Sequence, residues 1–322
     1  MNVLVTGATG FVGGRVVELL SSNIKFTPIA VIRGKNTLLQ DKIQTVTVSE
    51  LGPENSWGSS LDNIEVVIHT AARVHIMNDT ANDSLSEFRK VNVEGTLNLA
   101  RQAASAGVKR FIFISSIKVN GECTQGNKPF TEKDIPAPID PYGISKLETE
   151  EGLFKLSDET GMEVVCIRPV LVYGPGVKAN FYNMMKWLHL GLPLPFGSIH
   201  NSRSLVALDN LVDLILTCIE HPAAANESFL VSDGEDLSTT ELLYRVTKAL
   251  GKQSYLLPIN QYILEFGLKL IGKKDLAQRL CGSLQVDISK VKEVLGWSPS
   301  VSVDEALQKT ANNFLSQFRV ND

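Results

Sequence analysis

Surplus cations, clustered cysteines and long apolar runs are all missing from this sequence. Lys and Arg number 31 against 35 Asp and Glu, a formal charge of −4. No excess of positive charge stands ready to neutralise phosphates along a duplex, which argues against nucleic acid as the main partner. A small anionic ligand needs only a few placed donors and is not excluded. The four cysteines, Cys123, Cys166, Cys218 and Cys281, are scattered without a C-x-x-C pair. That pattern predicts reduced thiols and no metal centre. No apolar run reaches the length of a membrane span, and the stretch from Leu205 to Ile219 is interrupted by Asp209, Asn210 and Asp213. Met1-Asn2 runs straight into an apolar strand with no basic n-region or cleavage pattern. The expectation is a soluble, cytoplasmic protein with no membrane partner.

What is present is alternation. Apolar, β-branched runs at Val3–Thr6, Pro28–Ile32, Gln44–Val48 (the weakest), Glu65–Thr70, Lys109–Ser115 and Glu163–Pro169 read as strands. Helical spacing fills Phe11–Leu20, Leu85–Ala106 up to Gly107, and Pro141–Thr160 up to Gly161. Strands that are apolar throughout and separated by helices lie in a parallel sheet covered on both faces. The fold class is therefore α/β, a doubly wound parallel sheet. After Tyr173-Gly174-Pro175 helices predominate: Phe181–Leu190, Leu208–Glu220, Thr239–Leu250 and Asp304–Phe318, with short strands near Ser228–Val231 and Gln285–Val286. Gly191–Gly197 is a loop. This divides the chain into a dinucleotide-binding domain, 1–175, and a smaller lobe, 176–322, that takes the substrate, with some later segments returning to the sheet.

The segment TGATGFVGG follows the first strand and opens the first helix. Gly7, Gly10 and Gly13 fit a tight turn, close approach of backbone to a pyrophosphate, and a helix packed hard against the sheet. Thr9, Phe11 and Val12 lie in the same loop, at a helix N-terminus whose free N–H groups favour phosphate. This is the mark of a Rossmann-type site for a nicotinamide dinucleotide. At the end of the second strand an acidic residue would bind the ribose hydroxyls, whereas AVIRGKN carries Arg33 there with Lys35 close by. Arg pairs well with phosphate, so NADP is favoured over NAD. Stacking of Arg33 on adenine, with either cofactor accepted, is the alternative.

Tyr142 and Lys146 stand four apart in YGISK and share a helix face. An ammonium beside a phenol favours the phenolate, and a phenol so tuned can give or take the proton of a sugar hydroxyl as a hydride moves. Ser115 and Ser116 end the fifth strand, on the sheet edge where ligands bind. There the Ser116 hydroxyl can hydrogen-bond the substrate oxygen together with Tyr142. His69, inside a strand, reads as a satisfied core residue. Arg73 and His75 could reach substrate or be plain loop residues. Asn180 and Phe181, at the start of a helix, are candidates to meet the sugar or the base.

TGATGFVG, HTAA, VNVEGT, FISSIKVNGE, PYGISK and RPVLVYGPG occur in an order that resembles the extended short-chain dehydrogenase/reductase family, and the likeness continues to the closing DISKVKEVLGWSP. It is strongest to the nucleotide-sugar epimerase/dehydratase group, especially members acting on UDP-N-acetyl sugars in bacterial surface-polysaccharide synthesis. The resemblance implies that Ala71 and Ala72 line the cofactor, that Asn92 supports the active-site strands and that the chain from Pro169 meets the nicotinamide. It also implies that Arg203 lies where the family holds a nucleotide-sugar diphosphate, though taken alone it reads equally as a surface or salt-bridge residue, and that two long helices build a homodimer. Arg279, in the second lobe, is a separate candidate partner for the diphosphate.

Departures from the family pattern sharpen the expectation. Dehydratases carry an acidic pair after the catalytic hydroxyl residue; here Ile117 and Lys118 stand there, which argues against water elimination and leaves Lys118 on the substrate side. Epimerases have Asp at the end of the second strand and Asn three before the glycine of VYG; here Arg33 and Leu171 occupy those places. These departures favour an NAD(P)-dependent 4-keto reductase of a UDP-linked amino sugar. A UDP-hexose or UDP-N-acetylhexosamine 4-epimerase using the same residues is the alternative. A non-catalytic dinucleotide sensor is the rival from another class, and it would have no need of an intact Tyr–Lys–Ser set.

Overall fold

A computed structural model describes residues 1–34, 41, 43–74, 84–126 and 128–320, with the side chains of 319 and 320 excepted. Lys35 and His75 lie outside the described residues. The main sheet holds seven strands, all parallel, in the order β3-β2-β1-β4-β5-β6-β9. They are β1 (Asn2–Thr6), β2 (Thr27–Arg33), β3 (Gln44–Val48), β4 (Val66–His69), β5 (Arg110–Ile114), β6 (Glu163–Pro169) and β9 (Glu227–Val231). Alternation along β1 sends Val3 and Val5 to one face and Leu4 to the other, each into its own core. The first core is closed by α1 (Phe11–Ser21) and α6 (Leu208–Glu220), through Val16, Leu20, Leu211 and Ile215. The second is closed by α3 (Thr96–Ser105) and α4 (Pro141–Thr160), through Leu99, Ala103 and Leu153.

Strand order reverses between β1 and β4, and this opens a crevice at their C-terminal ends. Buried polar contacts seal its floor: the Thr6 hydroxyl meets His69 Nδ1 at 2.9 Å, and the Thr70 hydroxyl donates to the Thr6 carbonyl at 2.7 Å.

The single long helix expected over 85–106 is interrupted. It begins as α2 (Ser84–Phe88), widens into a π-helical stretch at Arg89–Gly95 and resumes as α3. The wide turn buries Asn92, whose side chain bonds outside the helix, and it brings Gly95 against the backbone of Gly52.

The chain after β6 holds a second, three-stranded sheet ordered β10-β8-β7. Its strands are β7 (Leu171–Tyr173), β8 (Arg203–Ala207) and β10 (Asp236–Leu237). Its core includes Tyr173, Leu205 and Leu237 and draws on α5 (Ala179–His189), α7 (Thr239–Ala249) and α11 (Val303–Val320). Asp233 stitches the two sheets together, accepting from Tyr173 Oη at 2.9 Å, Ala207 N at 2.8 Å and Asn210 Nδ2 at 2.7 Å. The strand expected at Gln285–Val286 is instead one bridge from Val286 to Phe130, because its partner is a loop. Helices α8 (Gln261–Leu270), α9 (Lys274–Cys281) and α10 (Ser289–Leu295) complete the chain.

Candidate active site

The glycine loop is shaped by close approach. Gly7 has φ +70°, and a Cβ on it would lie 2.5 Å from Thr70 Oγ1 and 2.9 Å from Ala71 N. A Cβ on Gly13 would lie 2.3 Å from the Gly7 carbonyl oxygen. Both positions therefore require glycine for the loop to fold down between β1 and β4. Gly10 caps α1 without a side-chain hydrogen bond, so the N–H groups of the first turn have no capping oxygen. Thr9 is exposed, while Phe11 and Val12 are half-buried against the first core. Ala71 and Ala72 follow β4 and are half-buried beside the loop. Arg33 is exposed at the end of β2. The donor set suits a pyrophosphate at a helix N-terminus. Ser115 adds an unmatched group: its hydroxyl is buried at the end of β5 and has no hydrogen-bond partner.

Tyr142 and Lys146 sit on the first two turns of α4. Asp140 caps that helix, accepting from Gly143 N at 2.7 Å, and Pro141 opens it. Ser116 begins a short 3-10 turn at the end of β5 and accepts from Lys118 N at 3.2 Å. Gly143 is the hinge of this assembly, because a Cβ there would lie 2.9 Å from the Lys118 carbonyl oxygen. The glycine inside YGISK lets the helix bearing Tyr142 close onto the turn bearing Ser116. The Lys118 ammonium bonds Asp140 across the same seam and lies 3.6 Å from Glu122. Lys118 thus clamps the helix start to the turn.

Lys146 is buried; its ammonium donates to the Ile114 carbonyl at 2.7 Å and sits 5.7 Å from the Tyr142 ring centre. Burial pushes Lys146 down to about 7, with Glu150 and Cys166 acting the other way. Burial, and then the Asp140 carboxylate, push the Tyr142 hydroxyl above the ordinary phenol value. The lowering expected from Lys146 does not appear. An ammonium that is itself desolvated and turned to a carbonyl does little for the phenolate.

Asn92 holds the walls. It accepts from Arg73 N at 2.8 Å, donates to Arg73 O at 3.1 Å and donates to Ser145 Oγ at 3.0 Å, so it joins the chain after β4 to α4. Arg73 lies 3.8 Å from Glu87 and faces the Phe88 ring. His69 bonds Thr6 and Thr96 through its two nitrogens, and burial, then Lys146, push it down to about 3. It is a neutral core histidine, as expected.

Sequence reasoning passed over the support beneath Lys146. Arg168 forms a buried bidentate pair with Glu150, one turn beyond Lys146, and donates to Asn120 Oδ1 at 3.0 Å. Burial works against the Arg168 charge, but Glu150 more than offsets it and holds the guanidinium above its ordinary value. Glu150 could have been suspected, because it shares a helix face with Lys146. Pro169 is buried at the end of β6.

Arg203 and Arg279, far apart in sequence, are brought together. Burial, then the charge of Arg279, lowers Arg203 below its ordinary value. Arg203 donates to the Gly282 carbonyl at 3.0 Å, and neither arginine has an ion pair among the described residues. Two guanidinium groups that repel one another and have no carboxylate between them have the chemistry an anion would match. Asn180 is exposed on the first turn of α5, and Phe181 is buried behind it against Tyr173. Among the described residues no group of His, Cys, Asp and Glu is arranged to hold a metal ion, and no helix is long and apolar enough to cross a membrane. All four cysteines are free.

Comparison with known proteins extends the match well beyond these residues. The chain is 48% identical over 315 residues to a UDP-glucose 4-epimerase of Vibrio cholerae, covering 98% of this chain and 95% of that protein. It is 29% identical to the N-acetyl-alpha-D-glucosaminyl-diphospho-ditrans,octacis-undecaprenol 4-epimerase of Escherichia coli O157:H7, over 95% of this chain and 94% of that one. A solved UDP-glucose 4-epimerase of Thermotoga maritima, with UDP-glucose, aligns with a TM-score of 0.79 at 28% identity, covering 99% of this chain and 100% of that one. Residues 3–232 match the family model, and the chain belongs to the NAD dependent epimerase/dehydratase family.

Proposed function

We propose that the protein is a UDP-sugar 4-epimerase that inverts C4 of a UDP-hexose or UDP-N-acetylhexosamine. The observation that carries this reading is the docking of Tyr142 and Lys146 onto the end of β5 beside Ser116, made close by Gly143 and by the Lys146–Ile114 bond. The 48% identity to a UDP-glucose 4-epimerase along nearly the whole chain supports the choice of reaction.

In this reading Gly7, Thr9, Gly10, Phe11, Val12 and Gly13 take the pyrophosphate of NAD or NADP, and Ala71, Ala72, Asn92, Ser115 and Pro169 border the rest. Ser115 supplies its unmatched hydroxyl. Lys146, which donates to the Ile114 carbonyl in the absence of ligand, would hold the cofactor's ribose. Bound dinucleotide supplies the acceptor for the C4 hydride and a positive ring that favours the Tyr142 phenolate. Tyr142 Oη removes the proton from the C4 hydroxyl while Ser116 Oγ holds that oxygen in line. The 4-keto sugar would then turn over in the site, so that the hydride comes back to the opposite face of C4 while Tyr142 gives the proton back to the C4 oxygen. Arg203 and Arg279 hold the UDP diphosphate so that only the sugar turns, while Asn180 and Lys118 lie on the substrate side. A homodimer through α3 and α4, a cytoplasmic setting and service to surface-polysaccharide synthesis belong to the same proposal.

A 4-keto reductase is the second reading, favoured by Arg33 and Leu171 where epimerases carry Asp and Asn. Arg33 also inclines the site to NADP. Incubation of the purified protein with UDP-glucose or UDP-N-acetylglucosamine, without added cofactor, separates the two. Appearance of the C4 epimer is the expected result. Failure to epimerise, together with stoichiometric NADPH consumption on a 4-keto UDP-sugar, would replace it with the reductase.

A further inference from the structure

Helix α8 is apolar on two sides, and only one of them is packed. At about 100° per residue, Leu264 and Leu268 lie together and are half-buried against the lobe. Tyr262, Ile263, Phe266 and Leu270 form an arc on the opposite side, and Ile271 caps the C-terminal end of the helix. These five side chains are 65% to 79% exposed, and no residue of α8 is fully buried. Asn260 caps the helix, accepting from Tyr262 N at 2.9 Å, so the exposed arc belongs to a formed helix and not to a frayed one. Scattered exposed apolar residues need no explanation, whereas four on one arc with a fifth at the helix end mark a surface built to be covered.

Charge selects what covers it. Lys269 flanks the arc, and Lys273 and Lys274 follow at its C-terminal end; all three are exposed. The acidic neighbours are Glu265, half-buried and turned to Gln261 and Lys269, and Asp275. The arc therefore ends in a run of lysines within a chain whose net charge is −4. A second copy docked with its helix parallel to this one would set lysine against lysine, and one docked antiparallel would offer the lysines only Asn260 and Gln261. An acidic phospholipid surface offers an acyl boundary for Tyr262, Ile263, Phe266 and Leu270, and negative headgroups for Lys273 and Lys274, which have no ion pair among the described residues, while Lys269 already meets Glu265 at 3.6 Å.

We propose that α8, with Ile271 and the lysines that follow, is a peripheral membrane-docking element that lies in the plane of an anionic bilayer. The proposal is independent of the reaction assigned to the sheet edge, since none of these residues belongs to it. The absence of a spanning helix among the described residues is compatible with it, because an interfacial helix does not cross.

The full-length protein tests it by co-sedimentation with two sets of vesicles, phosphatidylcholine alone and about three parts phosphatidylcholine to one part phosphatidylglycerol. Binding at least about tenfold tighter to the acidic vesicles is expected, with loss in high salt. The variant I263N/F266N should lose that binding while its melting temperature and its turnover of a free nucleotide-sugar stay as before. K273Q/K274Q, two exposed positions that leave the fold untouched, should weaken binding by about fivefold per lysine. Absence of binding to acidic vesicles, or equal binding to neutral ones, overturns the proposal. So does a dimer, seen by sedimentation velocity, that dissociates in I263N/F266N.

Discussion

The C-terminal edge of the seven-stranded sheet and the chain beyond β6 are built on opposite terms. At the sheet edge almost every polar group is matched: His69 between two threonines, Asn92 between Arg73 and Ser145, Arg168 between Glu150 and Asn120. In the lobe Arg203 and Arg279 stand together without a carboxylate, and α8 presents a bare apolar arc. The sheet edge carries geometry that must not move, whereas the lobe carries surfaces waiting for a partner. Local unfolding free energies vary across a structure in this way, and mobile or binding elements come from the less buried part.

The largest effect should come from the sheet-edge atom to which the proposed reaction assigns the proton transfer. Tyr142→Phe removes the proton donor and leaves the packing, so turnover should fall by about 10²- to 10⁴-fold. Cofactor retention, measured on the denatured protein's supernatant, should be unchanged. Full activity in this variant would remove the phenol from the mechanism and with it the distinction between a chemical edge and a binding lobe.

Next comes the support beneath it. Arg168→Met leaves the Glu150 carboxylate buried and alone, which costs about 3–5 kcal/mol and should lower the melting temperature by on the order of 10 °C. The double variant Arg168→Met/Glu150→Leu should recover most of that loss, since replacing both members of a buried pair by apolar groups is often neutral. A small effect in the single variant would mean that the sheet edge is less tightly determined than its contacts suggest.

The chain itself announced much of the edge and little of the lobe. Apolar runs and a glycine pattern at strand-to-helix spacing are local signals, and β1, α1 and the loop between them were legible from them. Tyr142, Lys146 and Ser116 were legible as candidates because each sits at a strand end or helix start that periodicity can locate. Arg168–Glu150 was hidden, because its partners lie on different elements and only the packing of α4 on β6 joins them. The small second sheet was hidden by strands of two to five residues, too short to show a period. Helix α8 was obscured by Gly267, which weakens a helical reading, and by apolar residues on two faces. The expectation that Lys146 lowers the Tyr142 value failed for a physical reason absent from sequence: both groups are desolvated.

Acid should strain the edge through His69. Its folded value is about 3, against 6.5 ordinarily. Below about pH 6.5 the unfolded chain binds a proton that the folded chain refuses, so stability is lost as pH falls from there toward about 3. A loss of roughly 2–3 kcal/mol between about pH 6 and 4 is expected from this group. His69→Gln should flatten that limb of the stability profile in urea titrations at stepped pH. An unaltered limb would assign the acid sensitivity to carboxylates elsewhere.

The smallest effect on folding, and the most informative about the lobe, belongs to Arg279→Gln. In the protein without ligand Arg279 only opposes the charge of Arg203, which burial already disfavours. Removing it relieves a repulsion between like charges, so the melting temperature should stay level or rise slightly. The same change withdraws one of two cations from the proposed diphosphate site, so KM for the nucleotide-sugar should rise by about 10- to 100-fold with kcat little altered. A binding residue that costs nothing in stability when removed is what a surface kept for a partner requires, because stability and function pull apart where charges are held unpaired. If Arg279→Gln instead lowered the melting temperature and left KM untouched, the pair would be structural. The lobe would then be stabilised by matched contacts, as the sheet edge is.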